Sequence, residues 1–173
     1  MQRILYRIGQ FCWALGEVPD PEALARAEEL LSTALFDLFT QLQLSEQAHA
    51  LRIFERLQKQ GFSQPDLLAA ALLHDVGKAL YPLRPWERTV GVLAKRFFPN
   101  RIRKWGQGKP GGFRSGIVVA EQHARWGAEM AQSAGATELV VRLIASHQDQ
   151  TATKLSEEER VLLNALKMVD EVS

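Results

Sequence analysis

Residues 67–78 read LLAAALLHDVGK, and no other stretch restricts the fold of this chain as much. Leu67 to Leu73 are seven consecutive small or aliphatic residues, too few to cross a bilayer but enough for a helix buried inside a helical domain. The run ends by delivering His74 and Asp75 side by side. Both are expensive to bury, because an unpaired buried polar or charged group costs several kcal/mol. A divalent cation is a partner that satisfies an imidazole and a carboxylate together.

Further ligands are easy to look for, since the chain has only four histidines, His49, His74, His123 and His147. Asp170 follows the last of them in an apolar helical setting. The order along the chain is thus H, HD, H, H, D. A single histidine on an apolar helix is ordinarily a hydrogen-bonded core residue. Neutral imidazole is nonetheless a common metal ligand, and a chain that places every histidine in such a setting favours one shared site.

Five segments carry this pattern in order: SEQAHALRIFERLQKQG, DLLAAALLHDVGK, HARWGAEMA, LIASHQDQ and LLNALKMVDEV. Together they resemble the HD superfamily of metal-dependent phosphohydrolases, over about residues 45–173. The resemblance implies that His49, His74, Asp75 and Asp170 hold one metal, and that Asp75 bridges to a second held by His123 and His147. It implies catalytic roles for Asp75 and for Lys78, whose ammonium would face the substrate phosphate; a solvated surface lysine is the plainer alternative. Two cations sharing a carboxylate can present an activated hydroxide and take up charge on a phosphoryl oxygen. The mixed N and O ligand set suits Fe, Mn, Ni, Co or Zn better than Mg.

The expected substrate is a nucleotide or another small phosphoester. No Gly-Tyr-Pro tripeptide occurs, as in cyclic-dinucleotide phosphodiesterases, and no Glu-Asp pair follows the HD segment, as in hydrolases of guanosine polyphosphates. The ligand order is also similar to that of di-iron hydrolases of diadenosine polyphosphates, but Gln148-Asp149-Gln150 after His147 departs from them. Two alternatives of other classes stand beside hydrolysis: a mixed-valence di-iron oxygenase of HD type, and a non-catalytic metal-binding regulatory domain.

At 173 residues and 46% hydrophobic, the chain fits one domain with a substantial core. We expect an all-α HD-domain helical bundle at 45–173 and a helical extension packed on it at 1–44. The net charge of +1 names no partner. Cys12 stands alone and excludes an intrachain disulfide. No secretory signal or transmembrane segment is evident, so a cytoplasmic location is expected; nothing predicts the oligomeric state.

Ile4, Ile8, Phe11 and Leu15 form one stripe of a first helix over residues 2–16. Asp20 and Pro21 open the next helical stretch, Glu22 to about Leu42. Ser45 is the expected cap of a helix closed by Gly61, with His49, Ile53 and Leu57 in line. Gly77 would let the backbone turn sharply beside the metals. Thr137 caps the helix of Leu139, Leu143 and His147, and Ser156 with Glu159 forms a capping box ahead of Leu162, Leu166 and Asp170. Glu121 and Glu129 flank His123 and are candidates to support it as a ligand, though a solvated helix face is the commoner place for such residues.

Residues 79–120 change character, with nine basic residues against the single Glu87, interleaved aromatics, and a glycine-rich loop at 106–112. We read them as a basic, aromatic-rich insertion. Because the segment joins the HD pair to His123, it can fold over the metals as a lid, with Arg84, Arg88, Lys95 and Arg96 contacting phosphate. A structural layer with its aromatics turned inward is an equal alternative, and attachment to nucleic acid or anionic lipid comes third.

Overall fold

The computed structural model describes residues 18–148 and 155–173, without the side chains of residues 85, 92, 95, 99, 100 and 103. The expected first helix at 2–16 and Cys12 lie outside the described residues. Among those described there is no strand, and the architecture is all-α. In order come α1 (Pro21–Leu30), α2 (Thr33–Thr40), α3 (Leu44–Lys59), α4 (Pro65–Leu73), a 3-10 helix (Val76–Leu80), α5 (Pro85–Phe97) and α6 (Pro99–Trp105). A short 3-10 turn (Gly112–Arg114), α7 (Ser115–Ser133), α8 (Glu138–Ser146) and α9 (Glu157–Glu171) complete it.

Helix α4 is the axis of the bundle. Every residue from Leu67 to Leu73 is buried, and α3, α8 and α9 pack around them. The absence of a polar face leaves α4 no solvent side, so neighbours must cover it all round. They do so with Ile53, Phe54 and Leu57 from α3, Leu143 and Ile144 from α8, and Leu163 and Leu166 from α9. Each such side chain contributes about 1.5–3 kcal/mol by leaving water.

The helix starts follow local chemistry, with two corrections. Asp20 caps α1 through its Oδ2, which accepts from Ala23 N at 2.9 Å, and Pro21 occupies the first position. The helical pattern from Glu22 to Leu42 is interrupted: Leu31 is extended (φ −85, ψ 145) and Ser32 caps a second helix. Apolar periodicity runs straight through this break, because Ala23 and Ala27 before it and Leu35, Leu38 and Phe39 after it are all buried. Ser45 does not cap α3; Gln43 holds the cap position with no side-chain cap bond, and Ser45 lies within the first turn. There Gln47 Nε2 donates to Leu42 O at 2.8 Å and to Thr40 O at 3.2 Å, tying the preceding loop to the helix. Thr137 Oγ1 accepts from Val140 N at 3.3 Å, and the Ser156–Glu159 box is reciprocal.

Residues 79–120 form a folded layer. Pro99 separates α5 from α6 at Phe98 (φ −132, ψ 50), as a proline restricts the residue before it. Helix α5 lies on α7 at glycine contacts: a Cβ on Gly116 would stand 1.8 Å from Glu87 O, and one on Gly91 would stand 2.6 Å from Gly116 O. Ala94, Ile102 and Ile117 make a second small core there, with Val90 and Trp105 against it. Residues 106–111 carry no helix.

Candidate metal centre

Five elements aim six side chains at one point. His49 comes from α3, His74 and Asp75 from the end of α4, His123 from the middle of α7, His147 from the residue after α8, and Asp170 from the last turn of α9. Three of the imidazoles are fixed by their own helices. Nδ1 of His74 faces Ala71 O at 2.9 Å, that of His123 faces Val119 O at 2.8 Å, and that of His147 faces Ile144 O at 2.7 Å. A carbonyl only accepts, so each Nδ1 donates and leaves the lone pair of the neutral ring on Nε2.

Those Nε2 atoms converge with the carboxylates into two groups, His49–His74–Asp170 and Asp75–His123–His147, with ligand atoms within 4.8 Å of one another in each. His49 Nε2 lies 3.0 Å from Asp170 Oδ1, and His74 Nε2 lies 3.7 Å from the same oxygen. Asp75 turns Oδ1 toward His123 Nε2 at 3.1 Å and His147 Nε2 at 3.9 Å. Its Oδ2 faces His74 Nε2 at 3.4 Å. One carboxylate thus serves both groups.

Electrostatics match a cation site. His74, His123, His147 and Asp75 are all buried. His74 Nε2 and His147 Nε2 have no hydrogen-bond partner, which costs about 1–3 kcal/mol for each stranded group. Where His123 Nε2 meets Asp75 Oδ1, two lone-pair atoms face one another at contact distance. Lone pairs aimed at a common point are compensated by a positive ion. Burial pushes His147 down, reinforced by His74 and His123, to about 3, so its ring is neutral at physiological pH. Burial also works against charge on His74, but the Asp75 and Asp170 carboxylates outweigh it and lift the ring to about 8. Asp75 is held well below the usual carboxylate range against its burial, by Lys78 and the surrounding imidazoles. Asp170 is lowered too, despite burial, chiefly by its hydrogen bond with His49. The residues fit divalent metal bound through nitrogen and oxygen.

Lys78 belongs to the same constellation: its Nζ donates to Asp75 Oδ2, and Asp75 and Glu46 raise its pKa against burial. The arginines behave otherwise. Arg88 reaches across to α3, with Nη2 3.1 Å from Glu46 Oε1 and a second bond to Gln43 Oε1. Arg84, at the cap of α5, and Arg96, on it, are exposed, and the Lys95 side chain lies outside the described residues. None of the described ion pairs joins these arginines to the six converging side chains. Glu121 and Glu129 are exposed, as expected of a solvated face, with Glu129 3.5 Å from Arg125.

Gly77 sits where it was expected but for another reason. Its φ is not positive; a Cβ there would lie 2.0 Å from His123 O and 2.7 Å from Gly127 N. It lets the 3-10 helix touch α7, and this contact sets Asp75 against His123. Two neighbours were not singled out from sequence. Glu46 is buried one turn before His49, a spacing that puts both on one face. Gln148 Nε2 donates to His123 Nε2 at 3.1 Å, and its only signal was its place next to His147.

Comparison with known proteins gives one match: a family model described as HD domain fits residues 47–171. No curated protein and no solved structure matches the chain. The matched stretch spans all six converging side chains and most of the chain, which therefore belongs to the HD domain family.

Proposed function

We propose that this protein is a metal-dependent phosphohydrolase acting on a nucleotide or another small phosphoester. The observation that carries the reading is the Asp75 carboxylate, whose two oxygens face separate groups of buried, lone-pair-bearing ligands. His49, His74 and Asp170 would hold one divalent transition metal and His123 and His147 the other, with Asp75 between them. Bound there, such ions supply Lewis acidity toward a phosphoryl oxygen and generate a nucleophile from water near neutral pH.

The chain's own groups do the rest. Ala71, Val119 and Ile144 carbonyls hold the imidazoles in the tautomer that presents Nε2. Burial keeps His147 unprotonated and Asp75 stays ionised, whereas His74, lifted to about 8, would release a proton as a metal enters. Lys78, 30% exposed beside Asp75, sets an ammonium at the mouth of the site, where an anionic phosphoryl group would bind. Arg84, Arg88 and Lys95 recur at four- and seven-residue intervals along α5. With Arg96, they form our proposed phosphate-contacting edge.

The test is metal analysis of the purified protein followed by a panel of nucleotides and phosphoesters under Mn, Ni and Fe(II), with and without oxygen. Hydrolysis that proceeds anaerobically and is lost on substituting His49, His74, Asp75 or Asp170 is expected. A fully metallated protein that turns over nothing would refute the reading in favour of a regulatory domain, and strictly oxygen-dependent turnover would refute it in favour of an oxygenase.

A further inference from the structure

The layer built by α5, α6 and the 112–114 turn has two apolar faces, and the fold uses one. Val90 and Ala94 pack inward against Ile102 and Ile117. On α5, Trp86, Leu93 and Phe97, the latter two seven and eleven residues after the first, fall along one line of the helix beside that of Val90 and Ala94. They are exposed, and Phe97 by 59%.

Contacts extend this stripe into a continuous patch. Trp86 meets the ring of Phe113 at 5.7 Å between centroids, and Phe113 is 80% exposed. Phe98, next to Phe97, is exposed as well, and its ring lies 5.4 Å from that of Trp105, whose other apolar contacts are with the inner core. A contiguous exposed apolar patch of this kind marks an interaction surface.

Charge identifies the partner. Arg101, Lys104 and Arg114 are exposed around the rings, and no ion pair joins any of them among the described residues. From Arg88 to Ala120 the chain contains no Asp or Glu; the nearest acids are Glu87 and Glu121 at the two ends. Trp, Phe and Leu along one side, flanked by Lys and Arg, is the pattern of an element lying in a bilayer interface. A single-stranded nucleic acid would want a groove with open ring faces for stacking. Here the rings pair with one another in tilted and edge-on contacts, and an aliphatic leucine shares the stripe.

We propose that this face, Trp86, Leu93, Phe97 and Phe113 rimmed by Arg101, Lys104 and Arg114, docks the protein on an anionic lipid bilayer. The proposal does not rest on the hydrolytic reading, and its test involves no turnover. The full-length chain is sedimented with vesicles of phosphatidylcholine alone and of an equimolar mixture with phosphatidylglycerol, and in parallel titrated with a labelled single-stranded oligonucleotide. Binding to the anionic vesicles alone is expected, falling as salt rises. The Phe97→Ala/Phe113→Ala and Arg101→Glu/Lys104→Glu pairs should each lower partitioning about ten-fold or more. Circular dichroism and metal content should match wild type, since all four side chains are exposed. No binding to anionic vesicles, equal binding to neutral ones, wild-type partitioning by the folded variants, or binding to the oligonucleotide in place of vesicles would each overturn it.

Discussion

Gly77→Ala tests whether the contact between the 3-10 helix and α7 sets the spacing of the two ligand groups. The added methyl would lie 2.0 Å from His123 O, 2.9 Å from His123 C and 2.7 Å from Gly127 N. All three are backbone atoms in the interior of α7, so no side chain can swing aside. Reaching an ordinary contact of 3.4 Å from the carbonyl oxygen requires a retreat of about 1.4 Å. Asp75 lies two residues earlier, with its Oδ1 only 3.1 Å from His123 Nε2. A displacement of that size would carry the carboxylate out of reach of the His123–His147 pair. Overpacking of this kind costs about 1–3 kcal/mol, and contact with main chain alone places Gly77→Ala at the upper end.

Urea denaturation of chelated protein would report the stability loss, and elemental analysis of the reconstituted protein the metal content. We expect a loss of about 3 kcal/mol and at most one metal per chain. Gly127→Ala is the control, because its Cβ would meet Gly77 N at 3.1 Å and Val76 Cγ1 at 3.3 Å, overlaps relieved by a few tenths of an ångström. It should cost under about 1 kcal/mol and keep both metals. A Gly77→Ala protein with wild-type stability and full metal content would refute the reasoning.

Four further outcomes follow from the same geometry. Asp75→Ala should remove most of two bound metals, whereas His123→Ala or His147→Ala should lose one and keep the other; unchanged metal content in Asp75→Ala would sink the shared-carboxylate arrangement. Gly116→Ala places a Cβ 1.8 Å from Glu87 O and should destabilise the α5–α7 seam by about 1–3 kcal/mol while leaving metal content intact, as calorimetry with elemental analysis would show. Neutralising Arg84 with Arg88, or Lys95 with Arg96, should raise KM for a phosphorylated substrate without removing metal, and less so at high salt; wild-type kinetics at low salt would end the lid idea. Lys78→Met removes a competitor for Asp75 Oδ2 and should tighten metal binding about ten-fold or more in a chelator competition while weakening inhibition by inorganic phosphate; unchanged or weaker metal binding would count against that competition.

What could be read from sequence is what buried polarity makes visible. His74 and Asp75 at the end of seven apolar residues could not be surface groups, and the core line Leu162, Leu166 and Asp170 turned the last carboxylate inward, where Asp170 now meets His49 at 3.0 Å. Helix starts were legible where a cap acts locally, as at Asp20, Thr137 and Ser156. They were not at Gln43, where a loop carbonyl captured by Gln47 and an arginine from α5 decide the helix start in place of Ser45. The break at Leu31–Ser32 was hidden because both short helices bury the same apolar periodicity. Gly77 shows the deeper limit. A glycine after a helix reads as freedom of φ, whereas its requirement here comes from α7, a helix some forty-six residues further along that no local pattern announces.

Charge teaches the same lesson in reverse. A local net of +8 over residues 79–120, in a chain of +1, reads as a positive field beside the metals. In the fold that charge does not act as one field, and Lys78, just ahead of the segment, has a partner of its own. Arg88 spends its guanidinium on Glu46 and Gln43, which ties the basic layer to α3 one turn from His49. Lys78 leans on Asp75, with Glu46 acting on it as well. Arg101, Lys104 and Arg114 stand exposed among aromatic side chains. Only Lys78 therefore puts an ammonium within reach of the converging ligands among the described side chains, and its partner is the carboxylate that both groups share. A substrate anion would meet a cation already linked to the ligand set, so binding of phosphate and binding of metal should be coupled through Asp75. The outward cations have no such acid to lean on, and that difference in pairing, rather than the sum of the charges, separates the face at the metals from the face we assign to lipid.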